Sequence, residues 1–277
     1  MILNRSLLRS SLPLVLSCLI LALGVGTGFA QDSTQKAWDI LNKAANDSSM
    51  QKRAQAVAVL GLIKQNPQAQ ALAEKALKDE KPEVRTAGAQ ALGGMLATGA
   101  VPQLTAALKD KDVRVIVAAA HSLYALKQPV AYEVYYAILT GERKSGQGLL
   151  AEQKQMLSDP KKMAQFAFET GIGFIPFGGL GYGVVKAVTK DDESPVRAAA
   201  AKILASDPDP RSGEALVKAA SDKSWIVRAA ALDAIANRGD PTLAAQIVPQ
   251  LDDDKDLVQY VAAAAIIQLS TKPAAKE

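Results

Sequence analysis

The chain repeats a short phrase at a nearly fixed interval. In each copy an acidic residue is followed six positions later by arginine and then by an alanine-rich run that ends in leucine or isoleucine. Arg85 lies 31 residues before Ile116 in the equivalent position, and the copies at Arg197 and Arg228 are also 31 residues apart. A period in this range is typical of a solenoid, in which stacked units pack on their neighbours. The period therefore predicts a stacked repeat protein and weighs against most enzyme folds.

The acid and the arginine are both present in four of the six copies. In the other two, Ile116 and Gln259 replace the arginine, so we expect those units to lack the acid–arginine pair. The complete pairs are Asp47 and Arg53, Asp79 and Arg85, Asp191 and Arg197, and Asp222 and Arg228.

Each unit is predicted to contain two antiparallel helices, a shorter helix A and a helix B that carries the phrase. Proline at or near several predicted helix starts fits its tolerance in the first turn of a helix. The predicted A helices are Thr34–Ala45, Pro67–Leu77, Ala100–Leu108, Ser212–Ala220 and Pro241–Leu251. The predicted B helices are Ser49–Lys64, Pro82–Leu96, Val113–Leu126, Ser194–Ala205, Ser224–Asn237 and Asp256–Leu269.

Helical spacing divides each B helix into a core stripe and an exposed stripe. Counting from the arginine as zero, positions −1, +3 and +7 share one face, as in Val84, Gly88 and Leu92, and are predicted to pack against helix A. Positions +1, +5 and +8 vary between units while the core positions stay similar, which indicates a partner-binding face, although a merely solvated face is the alternative. The predicted partner-binding residues are Gln90, His121, Tyr124, Lys202, Asp233, Tyr260 and Ile267.

These repeats resemble HEAT repeats, in the short form shared with the phycobilin-lyase-type repeat proteins. The resemblance covers about 34–127 and 180–270. It implies an all-α, right-handed α–α superhelix of about six helix pairs that serves chiefly as a protein-binding scaffold. It also implies that the acid–arginine residues form a hydrogen-bonded ladder between adjacent units. An anion-binding ladder is the functional alternative for these residues.

A helical and glycine-rich insertion at 128–180 interrupts the array, because 81 residues separate Ile116 from Arg197. It starts with a predicted tyrosine-rich helix, and 163–185 holds six glycines and one charge. Three interpretations of 163–185 remain open: a packed helix–loop–helix that gives Gly181–Thr189 to unit 4 as helix A, a docking element for a partner or a membrane surface, and a bilayer hairpin. Large exposed apolar patches are typical of interaction sites.

Residues 1–30 have the pattern of a secretory signal peptide, with basic residues first, then an apolar stretch, and small residues before Gln31. We expect cleavage after Ala30 and a periplasmic or secreted protein, with an uncleaved membrane anchor as the alternative. Repeats 1–3 would then occupy 31–127 and repeats 4–6 would occupy 181–277. The single cysteine, Cys18, lies inside the signal, so no disulfide is expected.

Residues for catalysis or metal binding are not predicted, and no cofactor is expected. His121 is the only histidine and has no cysteine partner for a zinc site. The alternate aspartates of 252–256 mimic the start of a calcium loop, but Leu257 and Ala263 stand where that loop needs glycine and glutamate. Without Arg5 and Arg9 the chain has 30 basic and 28 acidic residues, so nucleic-acid binding is not expected.

The sequence therefore predicts an exported, non-catalytic scaffold that binds an unidentified protein through the exposed face of its B helices. The main alternative is a membrane-associated accessory factor that uses 163–185. A lyase-type enzyme subunit is a third alternative, which rests on the repeat resemblance alone.

Overall fold

The protein is seen as a computed structural model, which describes residues 31–140 and 193–271. The regular secondary structure in these two ranges is helical, which confirms the predicted all-α fold. The α-helices are α1 (31–45), α2 (Met50–Val59), α3 (Pro67–Ala76), α4 (Pro82–Gly94), α5 (Val101–Ala107), α6 (Val113–Ala125), α7 (Val130–Thr140), α8 (Ser194–Leu204), α9 (Pro210–Ala219), α10 (Trp225–Arg238) and α11 (Asp256–Ser270). Segments of 3₁₀ helix span Leu60–Leu62, Thr98–Ala100 and Pro241–Asp252.

Helices A and B alternate along the chain as the repeat predicted, and the B helices agree with their predicted bounds to within a few residues. The B helices of units 1 to 6 are α2, α4, α6, α8, α10 and α11. Helices α3, α5 and α9 and the 3₁₀ helix Pro241–Asp252 each pack against the B helix that follows. The fold is therefore an α–α solenoid.

Side-chain caps begin several of these helices. Asn66 accepts hydrogen bonds from the backbone N–H groups of Gln68 and Ala69, and Pro67 occupies the first turn of α3. Asp112 and Asp209 cap α6 and α9 in the same way. Such caps satisfy backbone donors that have no partner within the helix, so each unit starts its helices independently of its neighbours.

Three B helices end with a residue in the left-handed region, at position +11. These residues are Leu96 (φ 55°), Lys127 (φ 57°) and Gly239 (φ 70°). After α4 the N–H of Ala97 donates to the carbonyl of Leu92, which closes the α4 terminus. A left-handed residue at this point turns the chain away from the helix and satisfies its last carbonyl groups.

The predicted core stripe lies between helices A and B in units where both helices are described. Val84 and Leu92 are buried against α3, as are Val227 and Ile235 against α9. Unit 4 differs, because Val196 in the predicted stripe is 72% exposed. The prediction of a buried Val196 was therefore wrong, and the predicted helix A of unit 4 (Gly181–Thr189) lies outside the described residues.

The units do not stack in the order of the chain. The B helices pack in the order α8, α10, α11, α2, α4 and α6, so unit 6 lies beside unit 1. Four polar contacts join these two units: Lys36 with Asp252 at 2.7 Å, Lys52 with Asp256 at 3.1 Å, the hydroxyls of Thr34 and Ser270 at 3.0 Å, and the N–H of Lys64 with Gln268 at 2.7 Å. We call this junction of units 6 and 1 the seam.

The predicted signal peptide (1–30) and the glycine-rich stretch 163–185 lie outside the described residues. Only the first helix of the predicted insertion is described, and it is α7. Among the helices of the two described ranges, none has the length and apolar character needed to cross a bilayer.

Candidate functional site

The ladder arginines bind the aspartate of the next unit in space. Arg53 binds Asp79 through Nε and Nη2 at 2.9 and 3.0 Å, and Arg85 binds Asp110 at 2.7 and 2.8 Å. In the C-terminal half Arg197 pairs with Asp222, and Arg228 binds Asp253 at 2.7 Å. Each arginine therefore fastens its own helix B to the turn of its neighbour.

In the three spaced pairs whose members are both described, the arginine does not bind the carboxylate six residues earlier. Nη1 of Arg53, Arg85 and Arg228 donates instead to the backbone carbonyl of the aspartate six positions earlier, at 2.9 to 3.0 Å. A guanidinium carries several N–H donors in one plane, so a single arginine can donate to a carboxylate and to a backbone carbonyl at the same time. Asp191, the acid predicted for unit 4, lies outside the described residues.

The turn aspartates are held from two sides. The carboxylate of Asp79 accepts a hydrogen bond from the N–H of Lys81 at 2.9 Å in addition to the pair from Arg53. Burial opposes ionisation of Asp79, but these hydrogen bonds favour the charged form and hold its pKa below the usual value. Since the guanidinium donors of the ladder face protein acceptors, the geometry favours a structural role over anion binding.

The sequence prediction omitted two ladder acids, Asp110 and Asp253. Each lies 31 residues after an aspartate that was included, so the period itself could have found them. The prediction that unit 6 lacks the ladder was also too strong. Gln259 replaces the arginine, and its amide donates to the carbonyl of Asp253, which preserves the backbone half of the contact.

The residues of the predicted partner-binding face differ in solvent exposure according to their position in the repeat. At position +5, His121 and Lys202 are exposed, and Gln90 and Asp233 are half-buried. These residues form a row along the stack, which we call the B-helix row. In spatial order position +5 is held by Lys202, Asp233, Ala264, Ala58, Gln90 and His121, of which Ala264 is fully buried.

Two residues of that face were predicted wrongly. Tyr260 at position +1 is 4% exposed and Ile267 at position +8 is 1% exposed. Both lie on α11, which packs between α10 and α2, so its sides contact neighbouring B helices. Positions +1 and +8 are therefore stacking positions, and a partner has no access to these two side chains.

Position +8 shows how closely the B helices approach each other. A Cβ added at Gly93 on α4 would lie 2.9 Å from the Cα of Ser122 on α6. The hydroxyl of Ser122 is buried there and donates to the carbonyl of Ala89 at 2.7 Å. Small residues at this position let the helices approach, and a larger residue would separate them.

Tyr124 is the exception at position +8 and is 51% exposed. Helix α6 is followed in space by α7, and the ring of Tyr124 meets the ring of Tyr132 edge-on at 5.8 Å between centroids. Tyr132 and Tyr136 on α7 are also exposed. Exposed tyrosines thus lie beside the His121 end of the B-helix row.

Among the residues of the row, Asp233 has the most strongly shifted pKa. Burial raises its pKa to about 6, while the positive charges of Lys202 and Lys64 act in the opposite direction. Lys202 belongs to unit 4, and Lys64 follows the 3₁₀ helix of unit 1. Asp233 of unit 5 therefore interacts with a positive charge on each side of its own unit. A half-buried carboxylate between two lysines can receive a polar or cationic group of a partner.

The described residues do not assemble a site for a metal ion from histidine, cysteine and acidic side chains. His121 is exposed on α6. The acidic run at 252–256 serves the solenoid instead, since Asp252, Asp253 and Asp256 bind Lys36, Arg228 and Lys52.

Comparison with known proteins identifies the repeat. The family model described as HEAT repeats matches residues 5–93, 37–124, 70–144 and 183–268, which together exceed half of the chain. No curated protein sequence matches the chain.

Solved structures that are similar to the chain include the following two. The complex of CpcE and CpcF of phycocyanin lyase from Nostoc has 23% identity, covers 80% of this chain and 84% of its own, and gives a TM-score of 0.34. Human deoxyhypusine hydroxylase has 18% identity, covers 86% of this chain and 97% of its own, and gives a TM-score of 0.32. At these TM-scores neither similarity carries an argument about function.

Proposed function

Because the chain belongs to the HEAT-repeat family, we propose that it is a non-catalytic scaffold that binds another protein along its B-helix row. The observation that carries this proposal is the contrast between position +5 and the positions around it. The stacking positions hold small or buried residues in most units, whereas position +5 holds lysine, aspartate, glutamine and histidine in four units and alanine in the other two. The chain thus presents varied side chains on a constant frame.

The row suits an extended segment of a partner better than a small ligand. Its members lie on six successive B helices, so a ligand that contacts both ends must cross the whole stack. Charged groups lie at the Lys202 and Asp233 end, and Gln90, His121 and Tyr124 lie at the other. Tyrosine supplies a large contact area at low entropic cost, so we place the main apolar anchor at Tyr124.

Export is part of the proposal. The signal-like pattern of residues 1–30 supports a periplasmic or secreted protein, and we place the partner in the same compartment. The membrane alternative depends on 163–185 and the lyase alternative on resemblance alone. Residues 31–140 and 193–271 add no observation in favour of either.

Affinity capture with matched variants tests the proposed function. The chain expressed from Gln31 is immobilised and exposed to the envelope fraction of its native cell, and bound proteins are identified by mass spectrometry. We expect a partner whose capture falls at least tenfold with Tyr124→Ala combined with His121→Ala, because hot-spot truncations typically cost more than 1 kcal/mol each.

The matched controls are Lys43→Ala on α1 and Arg211→Ala on α9, two exposed cations outside the B-helix row. These variants should retain capture, and all variants should keep the helical circular dichroism of the parent. A partner that binds all four proteins equally would show that the row is not its site.

A further inference from the structure

The seam joins two units that are distant in sequence. Unit 1 supplies α1 and α2, unit 6 supplies the 3₁₀ helix Pro241–Asp252 and α11, and α2 packs on α11 as one B helix packs on the next. The chain passes from unit 3 to unit 4 through 141–192, which lie outside the described residues. Within the described ranges, non-covalent contacts hold unit 6 against unit 1.

Burial shows that α11 is an interior helix of the stack. Every residue from Val261 to Ile266 is fully buried, although α11 belongs to the last unit of the chain. A terminal unit of a solenoid normally keeps a polar outer face as a cap. The apolar surface of α11 therefore requires a neighbour on each side, and α2 is one of the two.

Charge on the two sides of the seam is complementary. Unit 1 presents Lys36 and Lys52, and unit 6 presents Asp252 and Asp256 opposite them at 2.7 and 3.1 Å. The four side chains are about half-exposed or more, so they form a polar rim around the packed helices. Complementary rim charges favour the correct partner and register more than they add affinity.

We propose that the seam is a separable protein–protein interface whose partner is the other half of the same chain. Residues 31–140 and 193–271 recognise each other as two subunits would, through a buried apolar centre and a rim of opposite charge. The covalent connection through 141–192 raises their effective concentration, but it is not needed to hold them together. If the proposed function holds, a partner that contacts row residues of both halves, such as Asp233 and Gln90, also strengthens the seam.

A cleavable chain tests the proposal. A protease recognition sequence is inserted between Gly146 and Gln147 in the chain expressed from Gln31, and the purified protein is cut. We expect the two fragments to elute together by size exclusion with light scattering, as one particle with the mass of the uncut chain. Fragments that separate or precipitate on cutting would overturn the proposal.

Charge reversal shows whether the seam holds the cut protein together. Lys36→Glu combined with Lys52→Glu places like charges against Asp252 and Asp256, and it should raise the dissociation constant of the cut fragments at least about tenfold. Adding Asp252→Lys and Asp256→Lys should restore association. Arg211→Glu, which reverses a charge away from the seam, is the matched control and should have no effect. Fragments that bind equally well in all these variants would mean that another surface joins them.

A circular permutant gives a second measurement that needs no protease. The hydroxyls of Thr34 on α1 and Ser270 on α11 are 3.0 Å apart, so the first and last described helices meet at the seam. A permutant that starts at Gln147, joins Glu277 to Gln31 by a short flexible linker and ends at Gly146 makes the seam covalent. We expect it to fold with the helical content of the parent. Adding Lys36→Glu and Lys52→Glu to the permutant should leave that helical content unchanged. A permutant that fails to fold would contradict the assigned order of units.

Discussion

The Arg85 guanidinium on α4 donates two hydrogen bonds to the carboxylate of Asp110, in the turn before α6, at 2.7 and 2.8 Å. The two side chains are only 7% and 13% exposed. The same guanidinium donates to the backbone carbonyls of Asp79 and Glu80 in the turn of its own unit. One side chain thus ties the turn and B helix of unit 2 to the turn of unit 3.

We expect Arg85→Ala to lower the free energy of unfolding by about 3 kcal/mol. The substitution removes the guanidinium donors from two turn carbonyls and from the Asp110 carboxylate, which keeps only the N–H of Asp112, in a largely buried site. Urea denaturation monitored by circular dichroism measures the change. Partner affinity, measured where the variant remains folded, should stay close to that of the parent because Arg85 is absent from the B-helix row.

Arg211→Ala is the matched control for the ladder. Arg211 is 87% exposed and pairs with Asp209 only two residues away, so its removal should leave the free energy of unfolding nearly unchanged. Equal losses for the two variants would show that the ladder does not hold the units together.

The period of the sequence was sufficient to predict the helices and the solenoid, because it repeats the hydrophobic pattern of each B helix. It could not predict which units are neighbours in space. A period shows that units are alike, and like units can stack in any order that the connecting segments allow. The position of α11 between α10 and α2, and hence the burial of Tyr260 and Ile267, therefore needed the structure.

Glycine at position 93 is required by the distance between α4 and α6. We expect Gly93→Ala to lower stability by about 1 to 3 kcal/mol, because the added Cβ would lie 2.9 Å from the Cα of Ser122. Gly213→Ala on α9 is the matched control, since its Cβ would meet Leu243 at an ordinary 3.4 Å. Alanine should stabilise that helix by about 0.5 to 1 kcal/mol. Thermal unfolding of both variants tests the pair, and a Gly93→Ala variant as stable as the parent would contradict the close approach.

The left-handed residues that end the B helices predict opposite effects for two substitutions. Lys127→Gly should raise stability by up to about 1 kcal/mol, because Lys127 is exposed and has φ 57°, a conformation costly for residues with a Cβ. Gly239→Ala should lower stability by about 1 kcal/mol, since Gly239 has φ 70°. Differential scanning calorimetry measures both changes. The same sign for both variants would rule out backbone conformation as the cause.

The partner-binding face could be predicted only in part. Gln90, His121, Lys202 and Asp233 reach the surface, whereas Ala264 at the same position of α11 is fully buried. Positions +1 and +8 lie four residues before and three residues after position +5, so all three share one side of the helix. Sequence spacing alone does not show how wide the stacking contact is. Small residues such as Gly93 at position +8 were the available signal, since close helix packing favours them.

Asp233 should make stability depend on pH in the direction opposite to the ladder acids. Burial raises its pKa to about 6 in the folded chain, from an ordinary value of 3.8. Between these values the folded state keeps a proton that the unfolded state releases, so stability falls as pH rises from about 4 to 6. The lowered pKa of Asp79 acts in reverse, and its contribution is lost as pH falls below its unfolded value.

Asp233→Asn removes the loss of stability that Asp233 causes as pH rises. We expect the variant to gain about 1 to 3 kcal/mol relative to the parent between pH 4 and pH 7, measured by urea denaturation across that range. Lys202→Ala removes a positive charge that lowers the pKa of Asp233, so it should move the pH-dependent step to higher pH. If the stability difference between the parent and Asp233→Asn is the same at pH 4 and pH 7, the Asp233 carboxyl is solvated in the folded chain and burial does not raise its pKa.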